Sequence, residues 1–146
     1  MKALIQRVTE ANVEARDKII GRIGSGILVF LGIEKNDTEK DLSHIVKKIA
    51  NLRIFYDANG KMNLSVRDRG GEVLVVSQFT IAADCRKGNR PSFDNAEDPA
   101  RAKELYERAL GQLKAAGLKV STGEFAADMK VSLVNDGPVT FLINSK

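Results

Sequence analysis

One cysteine and one histidine are the only thiol and imidazole side chains among the 146 residues. Cys85 alone closes no internal disulfide, which fits a reducing compartment. One His and one Cys also fall short of the usual tetrahedral zinc set, so no metal is expected. Tryptophan is absent and proline occurs three times. No apolar run approaches the ~18–20 residues of a membrane span. The longest, Ile27 to Ile33, has the length of a strand. Met1-Lys2-Ala3 leads straight into a strand-like pattern, so no secretory leader is expected and the cytoplasm is the expected location. Repeats, low-complexity tracts and linkers are missing. So are the G-x-S-x-G elbow, the H-E-x-x-H zinc helix and the G-x-x-x-x-G-K-[ST] phosphate loop.

What remains is ordinary for a folded chain: 43% apolar and 29% charged residues. The length predicts one domain over residues 1–146. Lys and Arg number 23 against 19 Asp and Glu, a net charge of +4. This mild basic excess is compatible with a nucleic-acid partner but does not by itself argue for one.

The pattern opens with β signals at Leu4–Val8, Asn12–Ala15 and Ile19–Ile23. Gly24-Ser25-Gly26 turns into the Ile27–Ile33 run, read as a strand buried on both faces. Then the period changes. Leu42, Ile45, Val46, Ile49 and Leu52 predict a helix over 36–52, with Asn36, Asp37 and Thr38 as possible caps. A hairpin follows, Arg53–Tyr56 and Met62–Val66 around Asp57–Gly60, and then a long strand over Glu72–Ile81. Asp98-Pro99 starts a second helix, whose apolar stripe runs from Ala102 to Ala116 and stops at Gly117. Val131–Val134 and Val139–Ile143 close the chain as two strands around a turn, Asn135–Pro138. The expectation is an α/β fold: two packed, barrel-like sheets of mixed or antiparallel strands, with two main helices outside.

Three segments draw attention. Ser77-Gln78-Phe79-Thr80 ends the apolar strand Val73–Val76, and buried polar groups there must be satisfied or face a cavity. Spacing alone favours a strand leaving the core. Arg86-Lys87-Gly88-Asn89-Arg90-Pro91-Ser92-Phe93 carries three cations in five residues and can grip phosphates, or be an ordinary solvated loop. Asn135–Thr140 reads on composition as a turn. His44 falls on the flank of a surface helix, and Cys85, beside Asp84 and Arg86, has no placed histidine. Both read as non-catalytic.

Taken together, Ile5-Gln6-Arg7-Val8, Val75-Val76-Ser77-Gln78-Phe79-Thr80, Gly88-Asn89-Arg90-Pro91-Ser92-Phe93 and Met129 through Thr140 resemble the D-aminoacyl-tRNA deacylase family, of the D-Tyr-tRNA deacylase type. The resemblance runs in order along the whole chain. It implies a homodimer with active sites at the interface and tRNA as partner. It implies that Ser77, Gln78, Phe79 and Thr80 are catalytic. The partner subunit would insert Gly137 and Pro138, joined by a cis bond, as a chiral selector, with Arg7 holding that pair. No cofactor is expected. Arg86, Lys87 and Arg90 become candidates for tRNA phosphates. Backbone N–H groups around Phe79 and Thr80 become candidate oxyanion donors. Two schemes stay open: Thr80 as nucleophile, or the tRNA's own 2′-hydroxyl assisting a water. The poverty in bases favours the second. Against the enzyme stand a non-catalytic nucleic-acid-binding module and a purely structural dimer of the same fold.

Overall fold

The structure, a computed structural model, describes residues 1–146. Three strands open it: β1 (Lys2–Ala15), β2 (Lys18–Ile23) and β3 (Gly26–Gly32). Helix α1 (Glu39–Asn51), strands β4 (Phe55–Tyr56), β5 (Met62–Leu64) and β6 (Glu72–Ser77), and a 3₁₀ turn (Phe79–Ala82) come next. Helix α2 (Pro99–Ala115) and strands β7 (Lys119–Thr122) and β8 (Lys130–Asn144) complete the chain.

Six strands form one mixed sheet, ordered β2-β1-β3-β6-β7, with β8 on the other edge of β1. The β1 pairings are antiparallel, whereas β3–β6 and β6–β7 are parallel. Parallel neighbours need long crossovers, and α1 and α2 lie within them. The two ends of the sheet approach each other where Ser121 Oγ donates to the Arg22 carbonyl at 3.1 Å, so the sheet curls into a nearly closed barrel. The hairpin β4–β5 makes a separate small sheet.

The continuous apolar run of β3 has a simple cause. Ile27, Val29 and Leu31 join a cluster with Leu42, Ile45 and Ile49 of α1 and with Leu105 and Leu113 of α2. Leu28 points the other way, into a second cluster with Val8, Val13, Ile23, Leu74 and Val76. Each such fully buried side chain contributes about 1.5–3 kcal/mol. Of the possible α1 caps, Thr38 takes the position, and the Asp41 carboxylate accepts its N–H at 2.9 Å and its hydroxyl at 2.7 Å. Asp37 is instead buried, where it binds the Met1 ammonium at 2.6 Å. Asp98 caps α2 as expected, its Oδ1 accepting the Ala100 N–H at 2.9 Å.

Three expectations change, and one strand, β7, is unanticipated. β1 is one strand, not two, since it bulges between Val8 and Glu10 without leaving its partner β8. β6 stops at Ser77 rather than reaching Ile81. β3 ends at Gly32, so Gln78 N–H, bonded to the Leu31 carbonyl at 2.9 Å, is the last group it can serve. Beyond it the backbone bonds locally, Ala83 N–H to the Thr80 carbonyl, in the 3₁₀ turn. β8 is a single strand running through the expected turn, because both of its halves pair with β1 across two register shifts. The short β7 lacks a strand-like apolar run and owes its place to parallel pairing with β6.

Candidate functional site

Ser77 sits half-buried at the end of β6, and the chain turns there into Phe79–Ala82. The first N–H groups of such a turn have no partner within it. Gln78 Nε2 donates to Thr80 Oγ1, and no imidazole or carboxylate bonds to that hydroxyl. Beside this turn opens a cleft of about 470 Å³. Ser77, Gln78 and Phe79 form one wall, while Ala102 of α2 and Phe125 and Met129 before β8 form others. Ala102 falls on the apolar stripe of α2, and such a stripe does not announce which of its residues meets a cavity; Phe125 and Met129 lie in the irregular segment between β7 and β8. Glu97 and Asp128 are the two carboxylates on the lining.

Gly137 and Pro138 lie elsewhere and line no part of this cleft. Their peptide bond is cis. Arg7 grips the segment from below while only 2% exposed. Its Nε donates to the Asp136 carbonyl at 2.9 Å and lies 3.3 Å from Asp136 Oδ2. Its Nη1 donates to the Ile54 carbonyl at 2.6 Å, and its Cζ lies 4.7 Å from the centroid of the Tyr56 ring. From the other side Asn135 clips the segment: Oδ1 accepts the Val139 N–H at 2.7 Å, and Nδ2 donates to Thr140 Oγ1 at 3.0 Å. Gly137 has φ +146, and a Cβ there would meet Val139 Cγ2 at 2.6 Å and Arg7 Nη2 at 3.3 Å. Only glycine fits this backbone without displacement. Sequence reasoning missed Asn135, Ile54 and Tyr56 as holders of the segment. Ile54 acts through a backbone carbonyl, which leaves no residue signature.

The basic loop is tied at its base, where Asp84 and Ser92 exchange backbone bonds of 2.8 and 2.9 Å. Arg86 is the only one of its three cations in an ion pair, its Nε and Nη2 on the Asp84 carboxylate. That hydrogen-bonded guanidinium holds the Asp84 carboxyl down to about 2. Lys87 and Arg90 are exposed. Phe93, at the loop's end, packs edge-on against Phe79 with ring centroids 5.0 Å apart. His44 and Cys85 are both exposed, and no three His, Cys, Asp or Glu side chains converge as metal ligands. No helix is long and apolar enough to cross a membrane.

Known proteins share this architecture. The D-aminoacyl-tRNA deacylase of Persephonella marina is 58% identical over 146 residues, covering 100% of this chain and 99% of the relative. That of Geobacter sulfurreducens is 56% identical, covering 100% and 96%. A solved structure titled "c-Myc DNA Unwinding Element Binding Protein" superposes with a TM-score of 0.95 at 45% identity, covering 100% of this chain and 99% of the other. A second, of a "probable eukaryotic D-amino acid tRNA deacylase", has a TM-score of 0.85 at 17% identity, covers 98% of each chain, and shows the shared fold alone. The model of the family described as D-Tyr-tRNA(Tyr) deacylase matches residues 4–144, and the chain belongs to that family.

Proposed function

We infer that this chain is an enzyme that hydrolyses the ester joining a D-amino acid to the 3′ end of a tRNA, releasing free tRNA and the D-amino acid. The observation that carries this reading is the end-to-end match to relatives named D-aminoacyl-tRNA deacylase. Residues 1–146 act as one domain, in the cytoplasm, where aminoacyl-tRNA is found.

The ester carbonyl docks at the opening of the 3₁₀ turn. The N–H groups of Phe79 and Thr80 then meet the oxygen on which negative charge develops, a geometry that favours the transition state over the ground state. Water attacks the carbonyl carbon, the ester C–O bond breaks, and the ribose 3′-oxygen leaves with a proton. The neighbouring 2′-hydroxyl of the tRNA relays that proton. The Gln78 donation into Thr80 Oγ1, with no base beside the hydroxyl, supports Thr80 as an orienting group rather than a nucleophile. Ser77 and Gln78 shape the wall against which the substrate lies.

Chirality needs a second element. Many side chains must be accepted, so selection acts at the α-carbon. The selector is Gly137 and Pro138 of the partner subunit in a homodimer. Two observations support this. The pair lies outside the chain's own cleft, and β8 leaves its outer edge unpaired with Val134, Phe141 and Leu142 exposed. A main-chain wall without a Cβ approaches closely. An L side chain collides with it, whereas a D side chain points away. Glycyl-tRNA, having no side chain, is also cleaved. Arg7 fixes the selector, and Lys87 and Arg90 contact phosphates, with Arg86 engaged by Asp84.

The test is a time course of matched D-Tyr-tRNA and L-Tyr-tRNA with purified protein. Loss of the D ester alone is expected. Loss of neither removes the activity, and loss of both removes the selector. A non-catalytic nucleic-acid-binding module is the second reading, favoured by the printed name of the 45% identical structural neighbour. Gly137→Ala separates the two. A binder keeps its RNA affinity and has no hydrolysis to lose, whereas the deacylase loses D-specific hydrolysis.

A further inference from the structure

We propose that Phe79 and Phe93 form a stacking platform for the unpaired nucleobase that precedes the esterified nucleoside at the 3′ end of the tRNA. This rests on the deacylase reading and adds a second nucleotide subsite to it. Both rings are unusually open for their size, Phe79 at 58% and Phe93 at 42% exposure. They meet edge to face, with planes at 62°, so faces of the pair stay free for a third ring. Phe79 lines the cleft and Phe93 does not. The pair therefore straddles the rim, where the chain of a substrate seated in the cleft must emerge.

The platform is rigid. The Asp84–Ser92 bonds tie the loop, Ser92 Oγ donates to Asp94 Oδ2 at 2.8 Å, and the Phe93 carbonyl accepts the Ala96 N–H at 2.9 Å. The same loop carries Lys87 and Arg90, exposed and outside any ion pair, while Arg86 is neutralised by Asp84. Two exposed cations outside any ion pair, on the loop that ends at Phe93, together with two partly exposed rings match a phosphate followed by a base. Single-stranded nucleic acid is bound in this way, because every base offers a π face. An apolar peptide would use the rings and leave the cations idle.

The experiment compares two substrates, D-Tyr-tRNA and the D-tyrosyl ester of adenosine, which has no preceding nucleotide. Hydrolysis of both by the unaltered protein tests the deacylase reading separately, and failure there leaves the active site itself in error. For Phe93→Ala, the ratio of KM on tRNA to KM on the small ester should rise about 5- to 150-fold, the range for loss of one stacked base. Phe93→Tyr should restore it. An equal change in both KM values, or no change in either, overturns the proposal. So does a Phe93→Ala protein that sediments as a monomer while the parent is a dimer, since the pair then belongs to the subunit contact. If Phe93→Ala fails to fold, Phe93→Leu with 2-aminopurine at the penultimate tRNA position decides. Quenching by the parent but not by the variant is expected, and equal quenching by both overturns the platform.

Discussion

Arg7 and Asp136 are separated by 129 residues, yet Arg7 Nε donates to the Asp136 carbonyl at 2.9 Å. The same guanidinium reaches the Ile54 carbonyl and lies over Tyr56, so one planar group joins β1, the hairpin sheet and the Gly137–Pro138 segment. Lysine offers a point charge on a flexible stem and cannot serve these partners together. Arg7→Lys should therefore keep the fold, lose about 1–3 kcal/mol of stability and cut the ratio of D to L ester hydrolysis. Urea unfolding and paired rate measurements check both effects. An unchanged ratio would detach Arg7 from chiral selection.

Thr80 is the second target. Its hydroxyl is exposed, held by Gln78, and beside no base. Thr80→Ala should lower kcat on D-Tyr-tRNA by less than about 100-fold, below the loss of a transition-state hydrogen-bond donor and far short of a missing nucleophile. A tRNA ending in 2′-deoxyadenosine should be almost inert. Single-turnover hydrolysis of both tests the assignment, and abolished activity in Thr80→Ala with binding intact would return the nucleophile to Thr80.

The basic loop predicts an ordering. Lys87→Ala and Arg90→Ala should each flatten the salt dependence of tRNA binding, by about 0.7 in the log–log slope for every single-strand phosphate left without its cation. Arg86→Ala should change the slope less, because its charge is already spent on Asp84. Filter binding from low to moderate salt measures all three. Equal effects would mean that the ion pair opens on binding.

Asp41 ties acid stability to the cap of α1. The Thr38 hydroxyl and backbone N–H donate to its carboxylate and hold its pKa well below the usual carboxylate value. A depressed folded-state pKa stabilises the fold above the unfolded value, near 4. That contribution fades as pH falls through the folded-state value. Asp41→Asn should cost about 1 kcal/mol at neutral pH and make the variant's stability fall less steeply than the parent's below pH 4. Thermal unfolding across this range reads the difference.

Much of this was legible from residue order. The 3.6-residue stripe of α1 and the unbroken run of β3 reflect forces acting within a few neighbouring residues, and both emerged close to where they were expected. The Ser77–Thr80 and Asn135–Thr140 segments stood out because polar, glycine and proline residues interrupt apolar strands. What escaped depended on distant partners. The end of β6 is set by where β3 runs out, and the continuity of β8 by pairing with β1 across two register shifts. β7 exists only beside β6.

Residue order alone carries the two helices and the doubly buried strand, because local periodicity and side-chain type are written in it directly. Tertiary structure alone decided that Arg7, Ile54, Tyr56 and Asn135 brace Gly137. It also separated tethered Arg86 from free Lys87 and Arg90, and put Phe93 against Phe79. These relations join backbone carbonyls, ring faces and carboxylates brought together by chain closure. Local preference does not encode a hydrogen bond to the main chain of a residue more than a hundred positions away.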